Sequence, residues 1–153
     1  TMTLRYGSPA LLARAVLLAG VAAITPATVS AAGLVIRVTG MSAPLGEVGC
    51  ALYASADGFP MDRATARAQW RPADAGGVTC RFTDVPEGTY AVSIVHDRNG
   101  NKRVDRNFVG MPTEQWGVSN NARPRMRAPT FEEARFTVAA GASDVVIDIT
   151  VAK

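Results

Sequence analysis

Apolar residues at every second position, in runs of fewer than ten residues, constrain this chain more than any other feature. Val48, Cys50 and Leu52 fall on one side of a run whose other side carries Gly49, Ala51 and Tyr53. Val78, Cys80 and Phe82 repeat the rhythm, with Thr79 and Arg81 opposite. Val145, Ile147, Ile149 and Val151 form a third row. Successive side chains of an extended strand point to opposite faces, so a period of two marks a half-buried strand. Leu34 to Val38 is β-branched and ends before Gly40, Tyr90 to Val95 is the continuous apolar run of a central strand, and Arg135 to Val138 is a shorter candidate. Asp57-Gly58 and Pro86-Glu87-Gly88 supply turns between them. About six short strands without βαβ alternation predict a mainly β chain folded as a single antiparallel β-sandwich, not a parallel nucleotide-binding sheet.

Two helical pieces are expected within this pattern. Met61, Ala64 and Ala68 stand at helical spacing between Pro60 and Trp70, and Pro60 suits a first turn. Thr130 with Glu133 reads as a capping box around a single turn. Asp97 to Pro129 is too long for a hairpin connection. Its Phe108, Met111 and Trp116 predict an ordered loop that folds back on the strands.

The N-terminal end reads as a secretory signal over residues 1–32, followed by one domain over 33–153. Arg5 and Arg14 precede the apolar run Ala15 to Ile24, and small residues Ala27 to Ala32 offer a cleavage point. The run is too short to span a bilayer, which needs about 20 apolar residues. No transmembrane segment is therefore expected after cleavage, and the location expected is periplasmic or secreted. The chain has 16 Lys and Arg against 13 Asp and Glu; losing Arg5 and Arg14 leaves 14 against 13, a net +1. That balance exerts no general pull on phosphate, so nucleic acid is not an expected partner.

Export also decides how Cys50 and Cys80 are read. In an oxidising compartment they can form a disulfide; packed as small apolar groups they can remain free thiols. Each lies mid-strand, so a bridge requires adjacent strands or facing sheets. Two thiols without a CxxC pair or spaced histidines do not make a zinc site.

The stretch His96 to Asp105, HDRNGNKRVD, carries the one candidate site. Asp97, Asn99, Asn101 and Asp105 place oxygens at positions one, three, five and nine, with the Arg103 carbonyl at seven. Calcium takes six to eight oxygens from such a loop. Lys102 stands where calcium loops have Gly, Phe108 stands where they have a bidentate Glu, and four basic residues surround the two carboxylates. Glu114 supplies a third carboxylate only if the loop folds back. The competing reading is a metal-free turn in which Asn and Asp cap local N–H groups. Calcium is therefore the one cofactor that such a loop could take.

A binding surface is expected beside this loop, from His96, Glu114, Trp116, Asn120 and Asn121 and the alternating Arg123, Arg125 and Arg127, which could take an anion or an acidic surface. His96 is the single histidine. It has no nucleophile elbow to serve, and its neighbour Asp97 points to the other face of the strand, so no catalytic residues and no enzyme are expected.

A series of motifs then carries a resemblance. PEGTYAV at 86–92, His96-Asp97-x-Asn99-Gly100-Asn101, Asp105-x-Asn107, Gly110-x-Pro112-x-Glu114, Gly117-x-Ser119-Asn120-Asn121-Ala122 and Pro129-x-Phe131-x-x-Ala134-x-Phe136, with Gly58-Phe59-Pro60 upstream, resemble an exported bacterial family, domain of unknown function 2141. The family continues Asn-Gly-Asn with Gly where this chain has Lys102, which weakens a metal role. The resemblance implies no established activity. It implies a sandwich of prealbumin-like or immunoglobulin-like type, which binds or supports rather than catalyses. The function expected is a binding or structural module of the cell envelope, its partner a protein or glycan. Alternatives are a calcium-stabilised adhesion or carbohydrate-binding module, or, less favoured, a hydrolase.

Overall fold

The computed structural model describes residues 31–153, and the signal segment expected over residues 1–32 lies outside them except for its last two positions. Eight strands follow: β1 (Ala32–Thr39), β2 (Glu47–Tyr53), β3 (Arg67–Pro72), β4 (Val78–Val85), β5 (Gly88–Asp97), β6 (Gln115–Val118), β7 (Phe136–Val138) and β8 (Val145–Thr150). One sheet has the order β4-β1-β8 and the other β3-β2-β5-β6, with β7 also on β5. Among the described residues no helix is long and apolar enough to cross a membrane.

The chain is mainly β with two sheets, and the sheets are not uniformly antiparallel. β1 is antiparallel to β4 but parallel to β8, with Leu34 opposite Val145 and Val38 opposite Ile149. β8 arrives from β7 in the other sheet and enters beside the start of β1, so it must run in the same direction. The expectation of a purely antiparallel sheet pair is corrected there.

The alternating rows meet as the sequence requires. Leu34, Ile36 and Val38 of β1, Val48 and Leu52 of β2, Val78 and Phe82 of β4, Val92 and Ile94 of β5 and Ile149 of β8 belong to one buried cluster. Each such side chain removed from water contributes about 1.5–3 kcal/mol. Cys50 of one sheet and Cys80 of the other lie in the same cluster, their Sγ atoms 2.04 Å apart. The bridge ties the two sheets directly.

β2 and β5 are buried on both faces, because a second apolar cluster lies on the far side of their sheet. Ala51, Tyr53, Ala91 and Val118 meet Phe131 and Ala134 there. Phe59 sits between Tyr53 and Phe131, edge-on to each at centroid distances of 5.2 and 5.9 Å. The helix expected after Pro60 does not form. Residues 63–65 make one 3-10 turn, and Arg67–Pro72 becomes an edge strand paired to β2. The open side of β2 needs a hydrogen-bonding partner, and that demand outweighs the local preference of Ala and Arg for helix. Trp70 then crosses opposite Gly49, where a Cβ would come within 2.6 Å of the indole ring. The short helix α1 (Phe131–Ala134) does form, with the capping box of Thr130 and Glu133 complete.

Replacing both cysteines, Cys50→Ala with Cys80→Ala, is expected to lower the unfolding free energy by about 3.5 kcal/mol, the chain-entropy value for closing a loop of about 30 residues. Chemical denaturation measures this, and intact mass should rise by a pair of hydrogen atoms on reduction of the native chain.

Candidate functional site

β5 ends on two residues that face opposite ways and are both fully buried, His96 and Asp97. Asp97 turns its carboxylate back under the following loop. Its Oδ1 accepts from the N–H groups of Gly100 and Asn101 at 2.7 and 3.3 Å, and its Oδ2 from Lys102 at 2.6 Å. Asn99 Oδ1 accepts from the Asn101 N–H, and Asn101 Oδ1 from the Arg103 N–H. The two amide groups then donate to the two oxygens of Asp105, at 2.6 and 2.7 Å. Glu114 does fold back, and its carboxylate accepts from the N–H groups of Arg98 and Asp105.

Asp97, Asn99, Asn101 and Asp105 are thus gathered as the spacing suggested, with Arg103 joining through its N–H. The asparagine oxygens are aimed at backbone, and it is N–H that faces Asp105. Among the described residues no set of three or more His, Cys, Asp or Glu is grouped to hold a metal. Lys102 adopts φ 60°, the left-handed bend that Gly makes easily, at a cost of about 1–2 kcal/mol. Its ammonium lies 3.4 Å from Glu47 and 5.4 Å from the centre of the Trp70 ring.

His96 lies inside the protein. Nε2 meets the Leu45 carbonyl at 2.8 Å and Nδ1 meets Gln115 Oε1 at 3.1 Å. Gln115 also accepts from the Ser42 N–H and donates to the Gly40 carbonyl. The pair fastens the β1–β2 connection to the ends of β5 and β6.

The expected binding surface is largely engaged in the chain's own bonds. Asn120 and Asn121 hold left-handed φ values of 59° and 50°. Asn120 donates to the carbonyls of Glu133 and Arg135, while Asn121 accepts from the Thr150 N–H. The Arg123 guanidinium stacks 4.3 Å over Trp116 and donates to its carbonyl. Arg127 forms a two-pronged pair with Glu133 at 2.6 and 2.8 Å. Arg125 is exposed. The Arg127 guanidinium, followed by the Thr130 N–H, pulls the Glu133 carboxyl down from 4.5 to about 2. Phe108 and Met111, expected to fold back, instead remain 100% and 45% exposed. The turn around Gly110 is closed by Asn107, whose Oδ1 accepts from the Val109 and Met111 N–H groups, and this turns both side chains outward.

Two hollows flank this loop on the outer face of the five-stranded sheet. One, of about 200 Å³, is apolar, with Met61, Met111, Pro112, Trp116, Met126 and Pro129 in its walls. The other, of about 340 Å³, lies between residues 61–64 and 102–106 and brings together Arg63, Lys102, Arg103 and Arg106. Sequence reading missed this second hollow. The basic run at 102–106 was visible, but Arg63 belonged to a segment expected to be helical. Arg63 stands 5.2 Å over the Trp70 ring. Burial pushes its guanidinium pKa down, opposed by the nearby Tyr53 and Asp97. Burial also pushes the Tyr53 hydroxyl up, opposed by Ser93 and Arg63. Ser93 approaches Tyr53 closely enough for that, yet neither hydroxyl reaches hydrogen-bonding geometry with any described residue.

A family model described as an uncharacterized protein conserved in bacteria matches residues 36–146. No curated protein and no solved structure matches the chain.

Two outcomes follow from this geometry. Asp97→Ala should lower stability by about 2–4 kcal/mol, since three N–H groups lose a charged acceptor in a buried site. Thermal melts should show the same loss in calcium and in chelator; a calcium-dependent gain present only with Asp97 would assign the loop to metal instead. Glu133 has a depressed pKa, so its contribution is complete above about pH 4.5 and fades as pH falls through about 2. NMR titration of its carboxyl carbon should show that low midpoint, and Arg127→Gln should move it upward.

Proposed function

The chain belongs to the bacterial family of uncharacterized proteins known as domain of unknown function 2141, and we propose that this member is a non-catalytic binding module of the cell envelope. Its two sheets are read as one β-sandwich, exported before its bridge forms. The Cys50–Cys80 pair supports export, since structural disulfides persist in oxidising compartments.

The observation that carries binding is the apolar hollow around Trp116. Met126 on its rim is 88% exposed and Met111 is 45% exposed. Methionine is adaptable and polarisable, suited to a surface that packs against a partner. The Asp97 turn and the Asn120–Asn121 bends hold the backbone on either side of it. A rigid frame around exposed, flexible side chains favours binding over chemistry. His96 has both ring nitrogens bonded inside the fold and is not offered to a substrate. The partner class is a protein or glycan of the envelope.

A photo-crosslinking residue placed at Met126 should capture envelope material in intact cells, while one at Val146, on the other sheet, should not. Trp116→Ala should reduce the Met126 adduct several-fold with the fold retained. Equal adducts from both positions, or capture only in the cytoplasm, would sink the proposal.

A further inference from the structure

Arg63 is held against the outer face of the five-stranded sheet by Trp70, and its Nη1 is buried without a hydrogen-bond partner among the described residues. The Ser93 and Tyr53 hydroxyls share that condition. Arg63 and Ser93 line one small cavity of about 10 Å³ together with Val104 and Trp116. Buried polar groups are nearly always satisfied. The Ser93 and Tyr53 hydroxyls lie near one another and can each donate or accept, but a guanidinium only donates, so the partner that completes Arg63 is an acceptor.

Charge selects which acceptor. Arg63 also lines the cleft of about 340 Å³, whose other cations are Lys102, Arg103 and Arg106 and whose acid is Asp62. The Asp62 carboxylate accepts from the Ala64 N–H. Asp97 acts on Arg63 through its charge, but its oxygens are taken by the amides of residues 100–102. Lys102 is shared with Glu47 at 3.4 Å, which leaves part of its charge for the cleft. Against these four cations stand Asp62, Glu47 on Lys102 and Asp97 acting on Arg63, which leaves one positive charge in excess at the opening, and the planar fork of Arg matches phosphate oxygens in pairs.

We propose that this cleft binds a phosphoryl group, with Arg63 making the two-pronged contact and Lys102, Arg103 and Arg106 supplying surrounding charge. The proposal does not rest on export or on the apolar hollow. The phosphoryl group belongs either to a small free phosphate compound or to an anionic lipid headgroup.

Inorganic phosphate titrated into the protein at low ionic strength tests it. The chain has two tryptophans, and the indole N–H signal of Trp70 should move saturably while that of Trp116 moves less. Chloride at matched ionic strength should not reproduce the shift. Arg63→Gln should weaken phosphate binding about tenfold or more, and Arg63→Lys should fall between, because an ammonium lacks the fork. Arg106→Gln at the rim should cost about threefold through lost long-range attraction. If Arg63→Gln does not fold, the lysine and Arg106 variants carry the test. Co-sedimentation with phosphatidylglycerol vesicles that phosphate competes away would assign a lipid headgroup; phosphate binding without co-sedimentation would assign a free compound. No saturable shift, an equal shift with chloride, or unchanged affinity in Arg63→Lys and Arg106→Gln would overturn the proposal.

Discussion

Asp97 ends the longest strand of the structure with its carboxylate wholly removed from water. An unpaired charge in that position costs several kcal/mol. Here the compensation comes from the N–H groups of residues 100–102, which a tight bend would otherwise leave without acceptors. Each side of this exchange makes the other tolerable. The bend reverses the chain, and Asp105 reaches Glu114, whose carboxylate binds the loop at both ends. Gln115 follows at once as the first residue of β6, already opposite His96. The two hollows exist because this turn sets residues 102–106 and 111–112 facing Met61 and Arg63.

The sheet beneath has work on both faces. Its inner face joins the main core and the bridge, and its outer face is roofed by the segments after β2 and β6. A cross-strand row runs from Trp70 through Gly49 and Val95 to Trp116. The glycine leaves room for one indole to lie across the sheet, and each indole then takes an arginine on its face, Arg63 on Trp70 and Arg123 on Trp116. The two stacks differ in consequence. Arg123 spends its N–H groups on backbone carbonyls, whereas Arg63 keeps a buried nitrogen without a partner among the described residues.

Much of this was legible in the chain. Cys50 and Cys80 stood on apolar rows, although whether those rows lay side by side or faced one another across two sheets was left to the structure. Thr130 and Glu133 announced their helix turn, because a capping box closes within four residues. The loop after Asp97 announced its Asn and Asp side chains, and their competing roles could be weighed by composition alone. β3 was not legible. Arg67 to Pro72 is exposed or half-buried along its length, so it carries no apolar period, and it is a strand because β2 has an open edge. The arginines at 123 and 127 looked alike in sequence; one found a ring and the other a carboxylate.

By itself the sequence determined that the chain builds short strands, which side chains of those strands turn inward, and that a polar bend follows Asp97. Those outcomes depend on side-chain alternation and on hydrogen bonds spanning a few residues. Only the tertiary structure decided that β8 lies parallel to β1, that Arg67 to Pro72 is an edge strand, and that Arg63 meets Lys102 and Arg106 across a cleft. Such meetings join residues from 15 to 111 positions apart. Which of them occur is set by open sheet edges and uncovered apolar faces, which no local pattern encodes.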